Sequence, residues 1–244
     1  MRELPVRSIK DNFIIKGGML VTAMVGVALR STMDIDTSIK NQNLSAEDAK
    51  RIVDDIKDID LGDGVTFEVK EVSNIMDEME YPGIRFTMNA VMRKLVTPMK
   101  IDISTGDVIK PKAIEYKYKL LLDDRSITLW SYNLETILAE KLQTILARGL
   151  LNTRMRDFYD IKTLLSIYEQ DIDADVLKKA FEATCKKRST ENLKEEAPKI
   201  MAAVSDDVRL HTLWKSYQKK YPYAADISYE DIIESTQLLW SKIQ

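Results

Sequence analysis

One cysteine, Cys185, and one histidine, His211, are all that this 244-residue chain has of the two residue types on which soft-metal and much nucleophile chemistry depends. A single cysteine excludes an intramolecular disulfide and a cysteine-based zinc site. A single histidine weighs against zinc hydrolases, which draw on several imidazoles, and leaves Cys-His pairs or Ser-His-Asp triads only His211 to draw on. His211, beside Leu210 and Leu213, reads as a helix-surface residue rather than a catalyst. A large excess of charge of one sign is missing as well: the net charge is −3 and the pI about 5.5, so nucleic-acid binding would need a local patch. The apolar run Met19 to Leu29 is shorter than the roughly 20 residues a membrane span requires. The N-terminal Met1-Arg2-Glu3-Leu4-Pro5 carries charges without a following apolar core, unlike a secretory signal, and a cytoplasmic protein is expected. No internal repeat or low-complexity segment is visible. What is present, 45% hydrophobic and 31% charged residues, describes a globular protein with a real core, long enough for one large domain or two ordinary ones, and two is the preferred reading. Carboxylates with a hard cation survive these exclusions.

The chain is organised around Phe13 to Lys40. Asn12 to Ile15 reads as a short buried strand and Met19 to Leu29 as a helix apolar nearly all round, interrupted by Gly26 and packed inside against a sheet. Met33 to Lys40 reads as the next strand. Residues at i and i+2 of a strand share a face, so Asp34 and Asp36 present adjacent carboxylates while Ile35 anchors the other side. Gly17-Gly18 lets the backbone pass close to a ligand, and the helix after it aims unpaired N–H groups at an anion. Separately, a glycine pair is mostly a turn and an Asp-x-Asp mostly a solvated face. Their order (strand, Gly-Gly, helix, carboxylate strand) suggests a nucleoside triphosphate with a divalent cation.

A helix follows from about Ser45, with Asp48 completing a capping-box-like signal, to Ile59, closed by Gly62-Asp63-Gly64. Val65 to Lys70, Ile84 to Asn89 and Met99 to Ser104 alternate apolar and polar residues, as half-buried antiparallel neighbours do. In the third, Lys100, Asp102 and Ser104 share a face, so Asp102 could project beside Asp34 and Asp36; the competing reading is an ordinary exposed strand residue. Ile114 to Leu122 and Ser126 to Leu129 read as edge strands joined by a turn at Asp123-Asp124-Arg125. After Tyr132 only helices remain: Asn133 as N-cap, Leu134 to Arg148 strongly amphipathic and ended by Gly149, then helices at about Met155 to Tyr168, Ala174 to Thr184, Glu191 to Val204, Asp207 to Gln218 and Tyr229 to Lys242. The fold class is therefore α+β, a mixed sheet flanked by helices over residues 1–131 and a C-terminal helical bundle over 132–244.

Five blocks in order carry a resemblance: Gly17-Gly18, Arg30-Ser31-Thr32-x-Asp34-x-Asp36, Ile101-Asp102-Ile103, the helix Leu134 to Leu142 ending Ala-Glu-Lys-Leu, and Arg154-x-Arg156-Asp157-Phe158-Tyr159-Asp160. Together, over Phe13 to about Leu165, they resemble the AbiEii/MenT nucleotidyltransferase toxins, a branch of the DNA polymerase β-like nucleotidyltransferases. The resemblance implies a metal-dependent enzyme that moves NMP from an NTP to RNA, with tRNA 3′ ends as substrate, acting as the toxin of a toxin–antitoxin or abortive-infection system with a separately encoded antitoxin. It implies that Gly17 and Gly18 cradle phosphate, with Met19, Arg30 and Thr32 also on the nucleotide. Asp34, Asp36 and Asp102 would be the ligands of two magnesium ions. Lys141 would reach the triphosphate, and Asp157 and Asp160 would form a following acidic motif. Two departures stand out: Met19 occupies a position where relatives carry a hydroxyl, and few residues precede Phe13, where relatives have a helical segment.

The bland readings remain beside these. Lys141 lies at the edge of the stripe Leu134, Ile137, Leu138, Leu142, Ile145 and could simply snorkel. Asp157 and Asp160 could be a surface ion-pair cluster with Arg154 and Arg156. For RNA, the candidate contacts are Arg148, Arg154 and Arg156, with Lys186-Lys187-Arg188 as a solvated helix end that could also meet phosphate. Three other functions stay open: a degenerate module that binds nucleotide or antitoxin without turnover, NMP transfer to protein hydroxyls such as Ser31 or Thr32, and a docking role for the C-terminal helices.

Overall fold

A computed structural model describes residues 12–39, 46–75, 83–120 and 124–244. The expected capping signal at Ser45 and the turn residue Asp123 lie outside the described residues. Seven strands form one mixed sheet in the order β3-β4-β5-β2-β1-β7-β6. These are β1 (Phe13–Lys16), β2 (Asp34–Ile39), β3 (Val65–Ile75), β4 (Gly83–Met92), β5 (Leu95–Thr105), β6 (Ile114–Lys119) and β7 (Ser126–Ser131). The pairs β2–β5 and β1–β7 are parallel, and the other neighbours are antiparallel. Only β6 of the two expected edge strands lies at an edge, because β7 pairs with β1 on its other side.

The alternation read in the sequence sets the two faces of the sheet. Ile84, Phe86, Met88, Ile39 and Ile103 point one way and close a core with Ala49 and Val53 of helix α2 (Ala46–Lys57). The polar alternates, Asp34, Asp36 and Asp102 among them, therefore point the other way. Helix α1 (Gly17–Val25) buries Leu20, Val21 and Val25 as expected, but it stops at Gly26, whose φ of 91° is left-handed, rather than running on to Leu29. The amides of Leu29 and Arg30 instead bond the Gly26 carbonyl, a glycine-terminated helix end, and Val27 and Leu29 are exposed.

Two compact units result. One comprises the chain through Met24, Ser31–Asp107 and Ala113–Tyr132, and the other Val25–Arg30, Val108–Lys112 and Asn133–Gln244. The second is built on α3 (Leu134–Arg148), α4 (Met155–Tyr168), α5 (Ala174–Lys187), α6 (Leu193–Asp206), α7 (Val208–Lys220) and α8 (Tyr229–Ser241). Asn133 caps α3 by accepting from the Thr136 amide at 2.8 Å, and Gly149 ends it. The strong amphipathicity expected of α3 is not how it packs: besides its apolar stripe it buries Glu135, Thr136, Lys141 and Gln143, since other helices cover several of its sides. His211 sits on α7 with its ring 3.8 Å from that of Tyr229.

Candidate active site

In the sheet unit, strand register aligns four charges in a row: Lys16 opposite Asp36, Asp36 beside Asp102, and Asp102 opposite Arg85. Registered partners lie on the same face, so cation, carboxylate, carboxylate and cation follow one another across β1, β2, β5 and β4. Asp34, two residues before Asp36 and registered with Lys100, belongs to the same face and is exposed. The sequence-predicted carboxylates thus share one face of two parallel strands.

Gly17 sits at the end of this row in a left-handed conformation, φ 58°. A Cβ there would lie 2.1 Å from Asp36 Oδ2, and the Gly18 amide donates to that same oxygen at 3.1 Å. Gly17 is therefore required by a close approach of the backbone to the Asp36 carboxylate, which also accepts from the Gly18 amide. Met19 follows in the first turn, and the hydroxyl nearby belongs to Thr22, whose Oγ1 donates back to the Gly18 carbonyl at 2.9 Å. Thr32 Oγ1 accepts from the Asp34 amide at 3.3 Å, which shapes the entry to β2.

Two of the row's residues went unnoticed in the sequence. Arg85 donates to both oxygens of Asp102, Nε to Oδ1 at 2.7 Å and Nη2 to Oδ2 at 2.6 Å, a bidentate pair. These hydrogen bonds hold the guanidinium above its ordinary value, and the charges of Asp102, Asp34 and Asp36 add to the effect. Lys16 donates to Asp107 Oδ2 at 2.5 Å and Ser104 Oγ at 2.6 Å, and its ammonium lies 5.8 Å from the Tyr132 ring centroid. Position offered a clue to both: Lys16 immediately precedes Gly17, and Arg85 is on the polar side of an alternating strand.

The acidic groups of this face, Asp34, Asp36 and Asp102, offer carboxylate oxygens, the chemistry a hard divalent cation requires, and the absence of a side chain at Gly17 lets the Asp36 carboxylate lie against the backbone. Asp34 and Asp36 fit such an ion. Among the described residues no three Asp, Glu, His or Cys side chains gather as a ready-made ligand set, and both oxygens of Asp102 are bonded to Arg85.

In the helical unit a second cluster forms. Lys141 Nζ donates to Asp160 Oδ2 at 2.6 Å and to Asp157 Oδ1 at 3.1 Å, Arg30 Nε to Asp160 Oδ1 at 3.1 Å, and Arg154 Nε to Asp157 Oδ2 at 2.9 Å. The blocks around Lys141 and Asp157/Asp160, separate in sequence, are brought together here, and Arg30 joins them. Neither bland alternative describes the cluster: Asp160 and Asp157 are 0% and 3% exposed rather than on the surface, and Lys141 is buried rather than snorkelling. Burial pushes the Asp160 pKa up, but Lys141 and Arg30 outweigh it and hold the carboxyl below its ordinary 3.8. Burial likewise pulls Lys141 down, and Asp160 and Asp157 outweigh it to leave the ammonium above its ordinary 10.5.

The candidate RNA contacts are placed unequally. Arg148 is exposed in the last turn of α3. Arg154 is exposed but paired with Asp157, while Arg156 donates to the Tyr221 hydroxyl at 2.9 Å with its guanidinium 5.3 Å from that ring. Arg188, of the basic run, turns back to α3, bonding Thr144 at 3.1 Å and pairing with Glu140 at 3.6 Å.

In structure the chain is similar to JHP933 from Helicobacter pylori, with a TM-score of 0.50 and 16% identity over 99% of this chain and 91% of that one. It is also similar to a second H. pylori structure, provisionally described as a nucleotidyltransferase, with a TM-score of 0.49 and 16% identity over 99% and 94% of the two chains. At that identity the first likeness concerns the fold alone, and the second supports nothing further. No curated protein matches the chain. No helix among the described residues is long and apolar enough to cross a membrane. A family of nucleotidyl transferases matches far more of the sequence than the blocks quoted above: with residues 1–235 covered, the chain belongs to the AbiEii nucleotidyl transferase toxins of type IV toxin–antitoxin systems, which implies a cognate antitoxin.

Proposed function

We propose that the protein transfers a nucleoside monophosphate from an NTP to the terminal hydroxyl of an RNA, a tRNA 3′ end by family resemblance, and that a separately encoded antitoxin restrains this in the cytoplasm. The observation that carries the reading is the approach of Gly17 to Asp36 at the head of a row of carboxylates, in a chain of a nucleotidyl transferase family. Asp34 and Asp36, with Asp102 as third carboxylate, are the residues that would hold divalent cations, two magnesium ions in this reading, which when bound supply charge neutralisation on the donor phosphates.

In the reaction the acceptor oxygen bonds the α-phosphorus, the bond to the β-phosphate breaks and pyrophosphate leaves. Positioning and charge are most of what such a transfer asks of a protein. Gly17 and Gly18 let the donor approach the backbone at the N-terminus of α1, and Asp102 is assigned as base for the acceptor proton. Lys141 is assigned to the donor phosphates, with Asp157 and Asp160 as its positioning residues. This assignment rests on the resemblance and on the three side chains being gathered from α3 and α4. Arg148, Arg154 and Arg156 are assigned to acceptor phosphates.

A second reading, transfer to a protein hydroxyl, is favoured by Thr32, whose Oγ1 lies 3.3 Å from the Asp34 amide. Incubation of the full chain with each α-labelled NTP, magnesium and either total RNA or total protein separates the two. Label in RNA supports the proposal, and label only in protein, including the chain itself, supports the second reading. NTP binding without any transfer would make the chain a binding module and contradict both.

A further inference from the structure

Three carboxylates on one face of two adjacent strands repel one another unless a cation sits among them. Of the cations on that face, Lys16 is turned to Asp107 and Ser104, Lys100 is exposed in register with Asp34, and Arg85 makes a bidentate pair with Asp102. The exposure of this pair sets it apart from the buried charge cluster of the helical unit. The side chains of Arg30 and Asp160 are 2% and 0% exposed, so separating them would strand charges in the interior, whereas those of Arg85 and Asp102 are 38% and 17% exposed. An arginine so placed can swing its guanidinium into water at small cost, with its aliphatic stem staying on the sheet.

We propose that Arg85 is a built-in counter-cation that occupies Asp102 while the carboxylate face is unloaded, competes with a divalent cation for it, and so raises the cation concentration at which the face fills. This rests on the reading that Asp34, Asp36 and Asp102 hold such a cation. Arg85 then decides when Asp102 becomes available as ligand or base. Because two cations competing for the same oxygens are linked reciprocally, removing Arg85 must tighten cation binding.

The test uses the full chain without nucleotide or RNA, with manganese as probe and free Mn2+ followed by electron paramagnetic resonance. Arg85→Gln is expected to bind Mn2+ on the order of five-fold more tightly than wild type, the lower end of ordinary linkage effects. Arg85→Lys, which keeps a charge but loses the bidentate fork, is expected to fall between. In the wild-type protein, titration with Mg2+ should move the Arg85 Nε–H resonance out of its hydrogen-bonded position, a readout that holds even if the glutamine variant folds poorly. Equal or weaker Mn2+ binding by Arg85→Gln, or an Arg85 resonance unmoved at saturating Mg2+, would overturn the proposal alone. Failure of wild type and Arg85→Gln alike to bind Mn2+ would overturn the cation reading and this proposal with it.

Discussion

The two charge clusters of this protein use the same residue types to opposite ends. On the sheet, Asp34 is exposed, Asp36 is half-buried, and the pair on Asp102 is open to water. Among the helices, Arg30, Lys141, Asp157 and Asp160 are all buried and bonded to one another. Charges that must accept and release a ligand do so at least cost when they are not committed to partners in the interior, because each partner lost there strands a desolvated charge. Charges that hold elements in place can be. The comparison separates residues whose loss should stop transfer from residues whose loss should first loosen the fold.

The sharpest way to break it is Asp160→Ala. Removing this carboxylate leaves Arg30 and Lys141 buried with a partner gone, which should cost about 3–5 kcal/mol. A urea unfolding midpoint near that of wild type would contradict it. Lys141→Met should be less harmful than Asp160→Ala, because Asp160 keeps Arg30 and only Asp157 and Asp160 lose a donor. If Lys141 also meets donor phosphate, Lys141→Arg should keep most of the stability and still raise the apparent KM for NTP. An unchanged KM would leave Lys141 a structural cation.

The same cluster fixes a pH window. Asp160, whose folded pKa is lowered, contributes stability that is present above its unfolded value and lost as pH falls through the folded one, below 3.8. Lys141, whose folded pKa is raised, contributes stability that is present below its unfolded value and lost as pH rises through the folded one, above 10.5. The cluster's contribution should therefore be flat between these limits. Asp160→Ala should flatten the acid limb of a plot of unfolding midpoint against pH, and an unaltered acid limb would place the linkage elsewhere.

Smaller effects belong on the sheet. Gly17→Ala puts a Cβ where Asp36 Oδ2 lies and forces a side chain into a left-handed conformation, at about 1–2 kcal/mol for the backbone alone. Because that Cβ must displace Asp36, transfer should fall further than so modest a destabilisation would explain; a loss of activity no larger than the loss of folded protein would contradict the close-approach argument. The smallest effect concerns RNA. Replacing Arg154 and Arg156 with glutamine should cut RNA transfer and flatten the salt dependence of binding by about 0.7 in slope per phosphate released, with nucleotide binding unchanged. An unchanged slope would move the acceptor's path away from α4.

How much of this was legible in the sequence follows from the range over which each signal acts. The limits of α3 were written in Asn133 and Gly149, and the common face of Asp34 and Asp36 in the period of a strand, because both depend on a few adjacent residues. The end of α1 is not legible in the sequence, because an apolar run looks the same whether Gly26 is tolerated in a helix or ends it; its positive φ decides. The burial of Lys141 was hidden because its partners lie 16 and 19 residues further on, across a turn, and a lysine beside an apolar stripe reads equally well as snorkelling. Arg85 was hidden for a related reason. Alternation put it on a polar face, but only the register of β4 on β5 sets it opposite Asp102, and register is a property of two strands together.

The central claim is that chemistry resides on the sheet's carboxylates and that their removal spares the fold. It is tested most directly by measuring, on one preparation of Asp34→Asn, the incorporation of α-labelled NMP into RNA and the urea unfolding midpoint. Asp34 is exposed, so the variant should unfold within about 0.5 kcal/mol of wild type, with transfer reduced to background. Transfer at the wild-type rate by this folded variant would contradict the account.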